Sequence, residues 1–446
     1  MLQILSNRDY AKLFTAQVVA VLGTGLLTIA LGLTAFDLAG DQAGQVLGLA
    51  LTVKMLAYVG LSPIVTALVA RMDRRRVLVS ADLIRIVAAL CLPFVTAPWQ
   101  IYLLIFVLQA ASATFTPTFQ AVIPDILPDE ADYTRALSLS RLAYDLESLV
   151  SPVLAGLLLG LMMPSSLFLG TAVGFALSAL LVWRTLIPNP ERSVDQPFLQ
   201  RLTKGSRIYL ATPRLRGLLA LNLTVAAVGA VPLVLSVVVA RSVYAGSERD
   251  MAVLLGAYGA GSMCAALGLP RLLDRMNNRP VMVTAGAIAA LLMVGLGLWI
   301  NLSGWPDWSV TLVLWAVLGA SLAAIMTPSG RLLRQSAHPT DRAALFAAQF
   351  ALSHACWLIT YPAAGFLSSS AGLAITMITL GAIGGVGTFA AIVLWPKDDA
   401  AAIAHIHADL PPDHPHLKDA VQRQDGWQHK HPLIIDDEHR AWPTAG

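Results

Sequence analysis

The sequence predicts an all-α integral membrane protein with about twelve transmembrane helices. Only 13% of the 446 residues are charged and 56% are hydrophobic, whereas a soluble domain carries roughly a quarter charged residues. The mean hydropathy of +0.67 indicates that the chain requires an apolar solvent. Apolar runs of about 20 residues, the length that crosses a bilayer, recur along the chain. Helices satisfy their own backbone hydrogen bonds there without forming a closed barrel.

The apolar runs fall into six, a polar break, and six more. The first run, Leu13–Leu38, is longer than the 7–15 apolar residues of a signal peptide, so we expect a permanent span. The others are Val46–Ala70, Val77–Thr96, Gln100–Ile123, Ala136–Leu161, Leu167–Leu186, Leu215–Ala240, Met251–Leu273, Val281–Leu302, Val310–Met326, Ala343–Leu367 and Ala374–Trp395. The predicted units are an N-terminal bundle (1–188), a linker (189–213), a C-terminal bundle (214–396) and a tail (397–446).

Lysine and arginine residues are concentrated in alternate loops. The opposite loops hold only Arg241 and Arg249. Because basic loops stay on the cytoplasmic side, we expect both termini and the linker to be cytoplasmic. The linker segment from Phe198 to Tyr209 alternates apolar and basic residues at helical spacing, which predicts a short helix on the inner membrane face. A plain connection between two bundles is compatible with the same pattern.

Several classes of function are disfavoured by the composition. The net charge of +3 is too small to predict nucleic-acid binding. The cysteines Cys91, Cys264 and Cys356 lie in separate apolar runs, which gives neither a disulfide framework nor a zinc spacing. The sequence has no phosphate-binding Gly-x-x-x-x-Gly-Lys-Ser/Thr loop and no catalytic triad in a soluble domain. We therefore expect no enzyme and no cofactor. The expected partners of a monomer are the bilayer and a small solute.

The two halves resemble each other. The segment that begins Ala70-Arg-Met-Asp-Arg after the second run matches Asp274-Arg-Met-Asn-Asn after the eighth. Likewise, Thr134-Arg-Ala at the start of the fifth run parallels Asp341-Arg-Ala at the start of the eleventh. Duplicated helical halves are typical of secondary transporters, whose substrate site lies near the midplane between the halves.

At these residues the chain resembles the major facilitator superfamily, whose loop between helices 2 and 3 carries a Gly-x-x-x-Asp-Arg-x-x-Arg-Arg signature. The glycine of that signature is Thr66 here and its acid is Ala70, although the second half retains the acid as Asp274. The resemblance implies a fold of two pseudo-symmetric six-helix bundles and a cytoplasmic latch. We assign Asp82 and Arg85, three apart at the cytoplasmic end of the third span, to the same latch. Its other members are Arg71, Asp73, Arg74, Arg75, Arg76, Asp274, Arg275 and Arg279.

Two stretches resemble the exporter branch of that superfamily, which includes macrolide and enterobactin efflux proteins. They run from Phe115 to Pro128 and from Ser151 to Gly156, where Pro152 and Gly156 match the antiporter motif. Four segments also resemble a narrower subgroup, the nickel-resistance permeases. These segments are Phe14–Ala20, Ser138–Ser148, Phe350–Trp357 and the histidine-rich tail. The resemblance implies a multi-pass protein of the bacterial inner membrane that exports a toxic solute.

Ionisable residues inside spans are costly and therefore point to function. Lys54 lies in the middle of the second span, where it is either a counter-ion for substrate or part of an interhelical pair. Arg141 and Asp145 of the fifth span are four apart, so they can pair on one face. Glu147 is about 200° around the helix from Asp145. It is therefore the better candidate for proton coupling, although Lys54 can claim either acid.

His354 is the one histidine within the predicted spans. A neutral imidazole suits nickel, cobalt or zinc, and a titrating one suits proton coupling. The alternative is an ordinary interhelical hydrogen bond. Asn222, Gln349 and Tyr361 are further polar candidates for the same cavity, whereas Cys356, two residues from His354, faces elsewhere.

Seven of the nine histidines lie in the tail. Its polar, proline-rich composition predicts disorder, and such tracts can bind divalent transition metals; a solvated tail with incidental histidines is the alternative. The histidines concerned are His405, His407, His414, His416, His429, His431 and His439.

We therefore predict a proton-coupled exporter. The preferred substrate is a divalent metal such as nickel or cobalt. The alternative substrates are drugs, macrolides or siderophores. The alternative class is a transporter-like sensor or scaffold with a metal-responsive tail, and the charges within the spans favour transport over this class.

Overall fold

The computed structural model describes residues 2–61, 72–188, 198–273, 275–337, 342–397, 403–407, 420–423 and 426–431, and residues 434, 435, 439 and 442. It is almost entirely helical. The first half consists of α1 Arg8–Ala39, α2 Ala43–Leu56, α3 Arg74–Cys91, α4 Pro98–Ile126, α5 Glu130–Leu158 and α6 Leu167–Trp183. The connecting helix is α7 Phe198–Ala211. The second half consists of α8 Pro213–Val238, α9 Glu248–Leu273, α10 Asn278–Ser303, α11 Trp308–Gln335, α12 Arg342–Ser370 and α13 Leu373–Leu394.

Within the described residues, ten helical stretches are long and apolar enough to cross a membrane. One of them, Arg8–Leu61, is 54 residues long and contains both α1 and α2. A 3-10 turn over Gly40–Gln42 separates the two helices. Gly40 has a φ of +54°, a conformation that glycine adopts without strain. Helix α5 is not among the ten. It contains Arg141, Asp145 and Glu147.

Polar caps fix where alternate helices of the first half begin. The side chain of Asn7 accepts hydrogen bonds from the backbone of Asp9 and Tyr10, so α1 begins five residues before the predicted Leu13. Asp73 and Asp129 accept backbone hydrogen bonds at the starts of α3 and α5 in the same way. These three starts define what we call the proximal face. The opposite, distal face carries the turns at residues 40–42, 92–97, 159–166, 244–247, 304–307 and 371–372.

Equivalent helices of the two halves pack in the same way. In the first half α1 packs against α6, and in the second α8 packs against α13. A Cβ on Gly174 of α6 would lie 2.6 Å from the Val19 oxygen, and one on Gly387 of α13 would lie 2.6 Å from the Ala220 oxygen. Small residues therefore allow direct backbone contact at both places. The packing agrees with the internal repeat in the sequence.

The described part of the tail contains strands where disorder was expected. β1 Ile403–His407, β2 Val421–Arg423 and β3 Gly426–His431 form an antiparallel sheet in the order β1-β3-β2. His405 is opposite His429 in the β1–β3 register. Pairing satisfies the backbone groups of these short segments.

Candidate functional site

The two halves approach most closely near the distal face, where helices α2 and α12 meet. A Cβ on Gly48 would lie 2.6 Å from the Tyr361 backbone oxygen, and one on Gly365 would lie 2.6 Å from the Gly44 oxygen. The backbones are therefore in direct contact. On the other side of the bundle, α5 meets α9 through Pro152, whose Cβ would lie 3.8 Å from a Cβ on Gly256.

Gly156 continues the α5–α9 contact. A Cβ at this position would lie 3.7 Å from the Cβ of Ala252. The predicted antiporter-motif residues Pro152 and Gly156 thus lie at the interface between the halves, and their role in transport stays a prediction.

A polar cluster joins the halves at the distal face itself. The Ser242 hydroxyl donates to Asp41 Oδ1 at 2.5 Å across the two halves. The Arg241 guanidinium lies 5.1 Å from the Phe36 ring centroid, which is within the range of a cation–π contact, and 3.5 Å from Glu248 Oε1. These contacts close the distal end over the α2–α12 junction.

Below this closed end, aromatic and basic side chains come together from α12, from α2 and from the π-helical turn Ala57–Leu61 that follows α2. The Tyr58 ring lies 5.7 Å from Phe350 and 5.6 Å from His354, both edge to face. Lys54 Nζ lies 5.8 Å from the Tyr58 ring centroid. We call Lys54, Tyr58, Phe350 and His354 the aromatic cluster. It brings two sequence-predicted residues, Lys54 and His354, to one place between the halves.

The tautomer of His354 follows from its hydrogen bond. Its Nδ1 lies 2.7 Å from the Phe350 backbone oxygen, and a carbonyl oxygen only accepts, so Nδ1 carries the hydrogen. The Nε2 of the neutral ring then holds a lone pair. This atom can accept a proton or a hydrogen bond, or ligate a metal. The imidazole ring of His354 lies 3.9 Å from the Phe350 ring, centroid to centroid, and is tilted by 34° from it.

Further aromatic residues extend this lining towards the distal face. Trp357 lies 4.9 Å from Tyr361, centroid to centroid. The Trp357 indole also packs on Gly229 of α8. A Cβ added at Gly229 would lie 2.7 Å from the indole ring. The aromatic lining therefore runs from His354 to Tyr361, roughly 10 Å at 1.5 Å per residue.

Asn222 and Gln349 belong to a different polar group. The hydroxyl of Tyr209, on the connecting helix α7, donates to Gln349 Oε1 at 2.5 Å. Asn222 is buried, and its Nδ2 has no hydrogen-bond partner among the described residues. Burial raises the pKa of Tyr209 well above its ordinary value, so the phenol stays a neutral donor. This group anchors α7 to α8 and α12.

The predicted charges of α5 are only partly described. The backbone of Arg141, Asp145 and Glu147 lies in α5, but their side chains are outside the described part of the structure. The preceding turn is described: the Ser140 hydroxyl donates to Gln17 Oε1 of α1 at 2.9 Å. The predicted Arg141–Asp145 pair and the coupling role of Glu147 remain predictions.

The predicted latch is divided among several structural roles. Asp73 caps α3 by accepting from the Arg76 backbone at 2.8 Å. Arg279 donates from Nε to the Trp395 oxygen at 2.7 Å and from Nη2 to the Ile392 oxygen at 2.9 Å, so it caps the C-terminus of α13. Arg275 is exposed. Arg74 and Arg75 begin α3, and Arg71 and Asp274 lie outside the described residues.

Asp82 and Arg85 occupy a place that differs from the predicted latch. They form a buried ion pair with each other, and the Arg85 guanidinium lies 4.2 Å and 4.4 Å from the ring centroids of Phe115 and Phe175. Because α3 begins at Arg74, Asp82 lies about 12 Å along the helix from the loop. The pair therefore ties α3 to α4 and α6.

Described residues near the end of the chain pack against the proximal face of the second half. Ile435 is fully buried in the main core, with Trp442 packed against it. The Trp442 ring centroid lies 5.8 Å from the Arg214 guanidinium. His439 is buried here as well. Of the other tail histidines, the structure describes only the strand backbone of His405, His407, His429 and His431; His414 and His416 lie outside the described residues.

Sequence analysis missed the aromatic half of the cluster. Tyr58 is four residues after Lys54, and Phe350 is four residues before His354. Residues four apart share a helix face, so this spacing was the signal that could have found them. It also missed Asp41, Ser242 and Glu248 at the distal face.

Comparison with known proteins places the chain among transporters. The family model described as Major Facilitator Superfamily matches residues 13–306 and 218–430. Macrolide efflux protein A of Streptococcus pyogenes is 24% identical over 207 residues, which are 45% of this chain and 50% of that protein. The chain thus spans about half the length of the curated relatives it matches.

Solved transporters share the fold. A bacterial homologue of the human lysosomal transporter Spinster, in an inward-facing and unoccupied conformation, aligns with a TM-score of 0.68 over 88% of this chain and 97% of that one, at 12% identity. A D-xylose–proton symporter aligns with a TM-score of 0.67 over 86% and 97% of the two chains, also at 12% identity. At such identities the likeness concerns the fold alone.

Proposed function

Because the chain belongs to the Major Facilitator Superfamily, we propose that it is a secondary active transporter that exports an amphipathic organic solute from the cytoplasm. The observation that carries this proposal is the aromatic lining between the halves, with Lys54 and His354 within it. The organic character of the solute departs from the metal that the sequence favoured.

The proposed topology has twelve spans in two bundles with cytoplasmic termini, in a bacterial inner membrane. Two spans are counted in Arg8–Leu61, because the Gly40–Gln42 turn reverses the chain. Helix α5, 29 residues long, is the twelfth; its charges face the bundle interior in this proposal. The basic loops lie on the proximal face, which is therefore the cytoplasmic one.

The proposed conformation is open towards the cytoplasm. The glycine contacts of α2 with α12 and the Asp41–Ser242 hydrogen bond join the halves on the distal side. Export then requires these contacts to separate while the proximal ends close. The bundles rock about the aromatic cluster, as in other transporters built from repeats.

The substrate class follows from the lining. Ring faces such as those of Tyr58 and Trp357 offer a large apolar surface and favour flat or hydrophobic groups. Lys54 attracts an acidic or strongly polar group, and His354 Nε2 accepts a hydrogen bond. Ligand sites with mostly apolar walls and a few directed polar groups are typical for drug-sized organic molecules.

We propose protons as the coupling ion, with Glu147 as the carrier. A carboxyl group partly removed from water has a raised proton affinity and can exchange protons near neutrality. Glu147→Gln should abolish pH-driven exchange in proteoliposomes while solute binding persists. Normal exchange in this variant would transfer the role to Asp145 or His354.

The decisive experiment compares toxic substances. Cells that express the protein should tolerate higher concentrations of macrolides or aromatic dyes, and Tyr58→Ala and Trp357→Ala should each lose this tolerance. Phe389→Ala, which removes an exposed ring on the membrane-facing side of α13, is the matched control. Raised tolerance to nickel or cobalt alone would refute the organic substrate.

A divalent metal ion is the second candidate substrate, favoured by the register of the tail. His405 is opposite His429, and His407 and His431 are each two residues further along their strands. Opposed residues, and residues two apart, share a face of a sheet. The register therefore places four histidine positions on one face, and imidazole suits nickel and cobalt.

The metal candidate has its own test. His405→Ala with His429→Ala should reduce nickel binding by the purified protein and nickel tolerance of cells. The matched control replaces His414 and His416, which lie in the same tail but outside the described strands. Equal loss in both double variants would contradict a site made by the strand register.

A further inference from the structure

An apolar furrow runs along the membrane-facing side of the second half, between α8, α12 and α13. Its volume is about 530 Å³, within the range of about 300–1,000 Å³ that is usual for ligand pockets. Leu219 and Leu223 of α8 form one wall, and Leu352 and Ile359 of α12 form the other. The last residue of α13, Leu394, closes its proximal end.

Among the described residues that line the furrow, Arg216 is the one that carries a charge. It is exposed and is the fourth residue of α8, close to the proximal face. The apolar lining extends from Arg216 to Leu223, roughly 10 Å deeper at 1.5 Å per residue. The furrow is thus charged where lipid headgroups lie and apolar at the depth of the acyl chains.

The furrow shares its walls with other parts of the transporter. Leu352 and Ile359 belong to α12, the helix that also carries His354 and Tyr361. Leu210, the penultimate residue of the amphipathic helix α7, lies at the lip. A molecule bound here would pack against the back of the helix that lines the proposed solute site.

We propose that this furrow binds an anionic phospholipid of the inner leaflet. The lipid phosphate would accept the paired N–H donors of Arg216, a geometry in which arginine binds phosphate strongly. One acyl chain would lie along Leu219, Leu223, Leu352 and Ile359. A basic residue near the membrane surface favours anionic lipid by roughly five-fold.

This site is independent of the transport chemistry, since its lining residues contain none of the aromatic cluster. The proposed phospholipid differs from bulk lipid in one respect, because Arg216 selects it by the negative charge of its headgroup. A zwitterionic lipid fills the same apolar walls but gains less from Arg216, because its own ammonium group offsets the phosphate.

The test is native mass spectrometry of the full-length protein, purified in detergent and exposed to equal amounts of phosphatidylglycerol and phosphatidylcholine. The wild type should retain one phosphatidylglycerol about five-fold more often than phosphatidylcholine. Arg216→Gln should lose this preference, and Arg216→Lys should keep part of it. Arg334→Gln, which removes an exposed arginine at the proximal end of α11, should behave as the wild type.

A second pair of variants tests the apolar walls. Ala355→Trp fills the furrow and should reduce retention of both lipids, whereas Val386→Trp, on the exposed side of α13 outside the furrow, should not. Each variant must elute as a single species with a melting temperature near that of the wild type. Equal phosphatidylglycerol retention in Arg216→Gln and Arg334→Gln, or full retention in Ala355→Trp, would overturn the proposal.

Discussion

The contact between α2 and α12 makes a sharp prediction for Gly48→Ala. The added methyl group would lie 2.6 Å from the Tyr361 oxygen and 3.2 Å from the Gly365 Cα. Non-bonded heavy atoms prefer a separation of about 3.5 Å or more, so one backbone must move by nearly 1 Å. Overpacking of this kind costs about 1–3 kcal/mol.

The overpacking in Gly48→Ala raises the free energy of the distally closed conformation only. The overpacked atoms lie on different halves, so the strain disappears when the halves part at the distal face. A change of about 1–3 kcal/mol shifts a conformational equilibrium by roughly 5- to 150-fold. Gly48→Ala should therefore depopulate the distally closed state to this extent without unfolding either bundle.

The assay is a crosslink across the distal face. Cysteines replace Asp41 and Ser242, whose side-chain oxygens are 2.5 Å apart, in a background in which the native cysteines are alanines. A short thiol crosslinker should then react more slowly in Gly48→Ala than in the parent protein.

The matched control for this experiment is Gly60→Ala. Gly60 follows α2 in the same half of the chain as Gly48. A Cβ at Gly60 would meet no atom within 4 Å among the described residues. Equal crosslinking rates in Gly48→Ala and Gly60→Ala would refute the argument that backbone contact holds the distal end closed.

Three further predictions concern stability. Arg85→Met should destabilise the protein by about 3–5 kcal/mol because it leaves the Asp82 carboxylate buried alone, and Asp82→Leu combined with Arg85→Met should recover most of the loss; thermal unfolding in detergent measures both. Arg279→Gln should cost about 1–3 kcal/mol by removing two charge-assisted hydrogen bonds to the end of α13, and an unchanged melting temperature would contradict the capping role. Trp442→Ala removes the ring beside Arg214 and should speed proteolysis of the tail; equal cleavage rates would argue against its docking.

The helices were the most predictable part of the molecule. Runs such as Val281–Leu302 are apolar for long enough that only a span explains them, and α10 Asn278–Ser303 contains that run. Helix ends depend on single caps and were less predictable: Asn7 starts α1 earlier than its first apolar residue suggests. The amphipathic helix in the linker was confirmed as α7.

The candidate site was predictable only where a charge marked it. Lys54 and His354 stand out in apolar helices, but Tyr58 and Phe350 look like ordinary apolar filling until the two helices are known to touch. Asp82 and Arg85 show the converse. Their spacing indicated that they pair with each other. It did not show whether the pair contacts the loop or the neighbouring helices, because that depends on tertiary packing against Phe115 and Phe175.

The three short strands of the tail were not predicted, for a different reason. The overall composition of the tail predicts disorder, but composition averages over short segments. Five residues of β1 and six of β3 are enough to pair, and their pairing depends on two segments about twenty residues apart in sequence. No local pattern reveals such a partner.

Helix α8 has a consequence for biogenesis. It belongs to the most apolar of the described helical stretches, and 89% of the most apolar window of Pro213–Val243 is buried by other helices. Two of the helices that cover it, α12 and α13, are synthesised later: α12 begins at Arg342, about 100 residues on, or roughly 5–20 s at ordinary elongation rates. During that interval α8 must reside in lipid without these neighbours. Its hydrophobicity thus suits the bilayer that it meets first as well as the protein interior that it finally occupies.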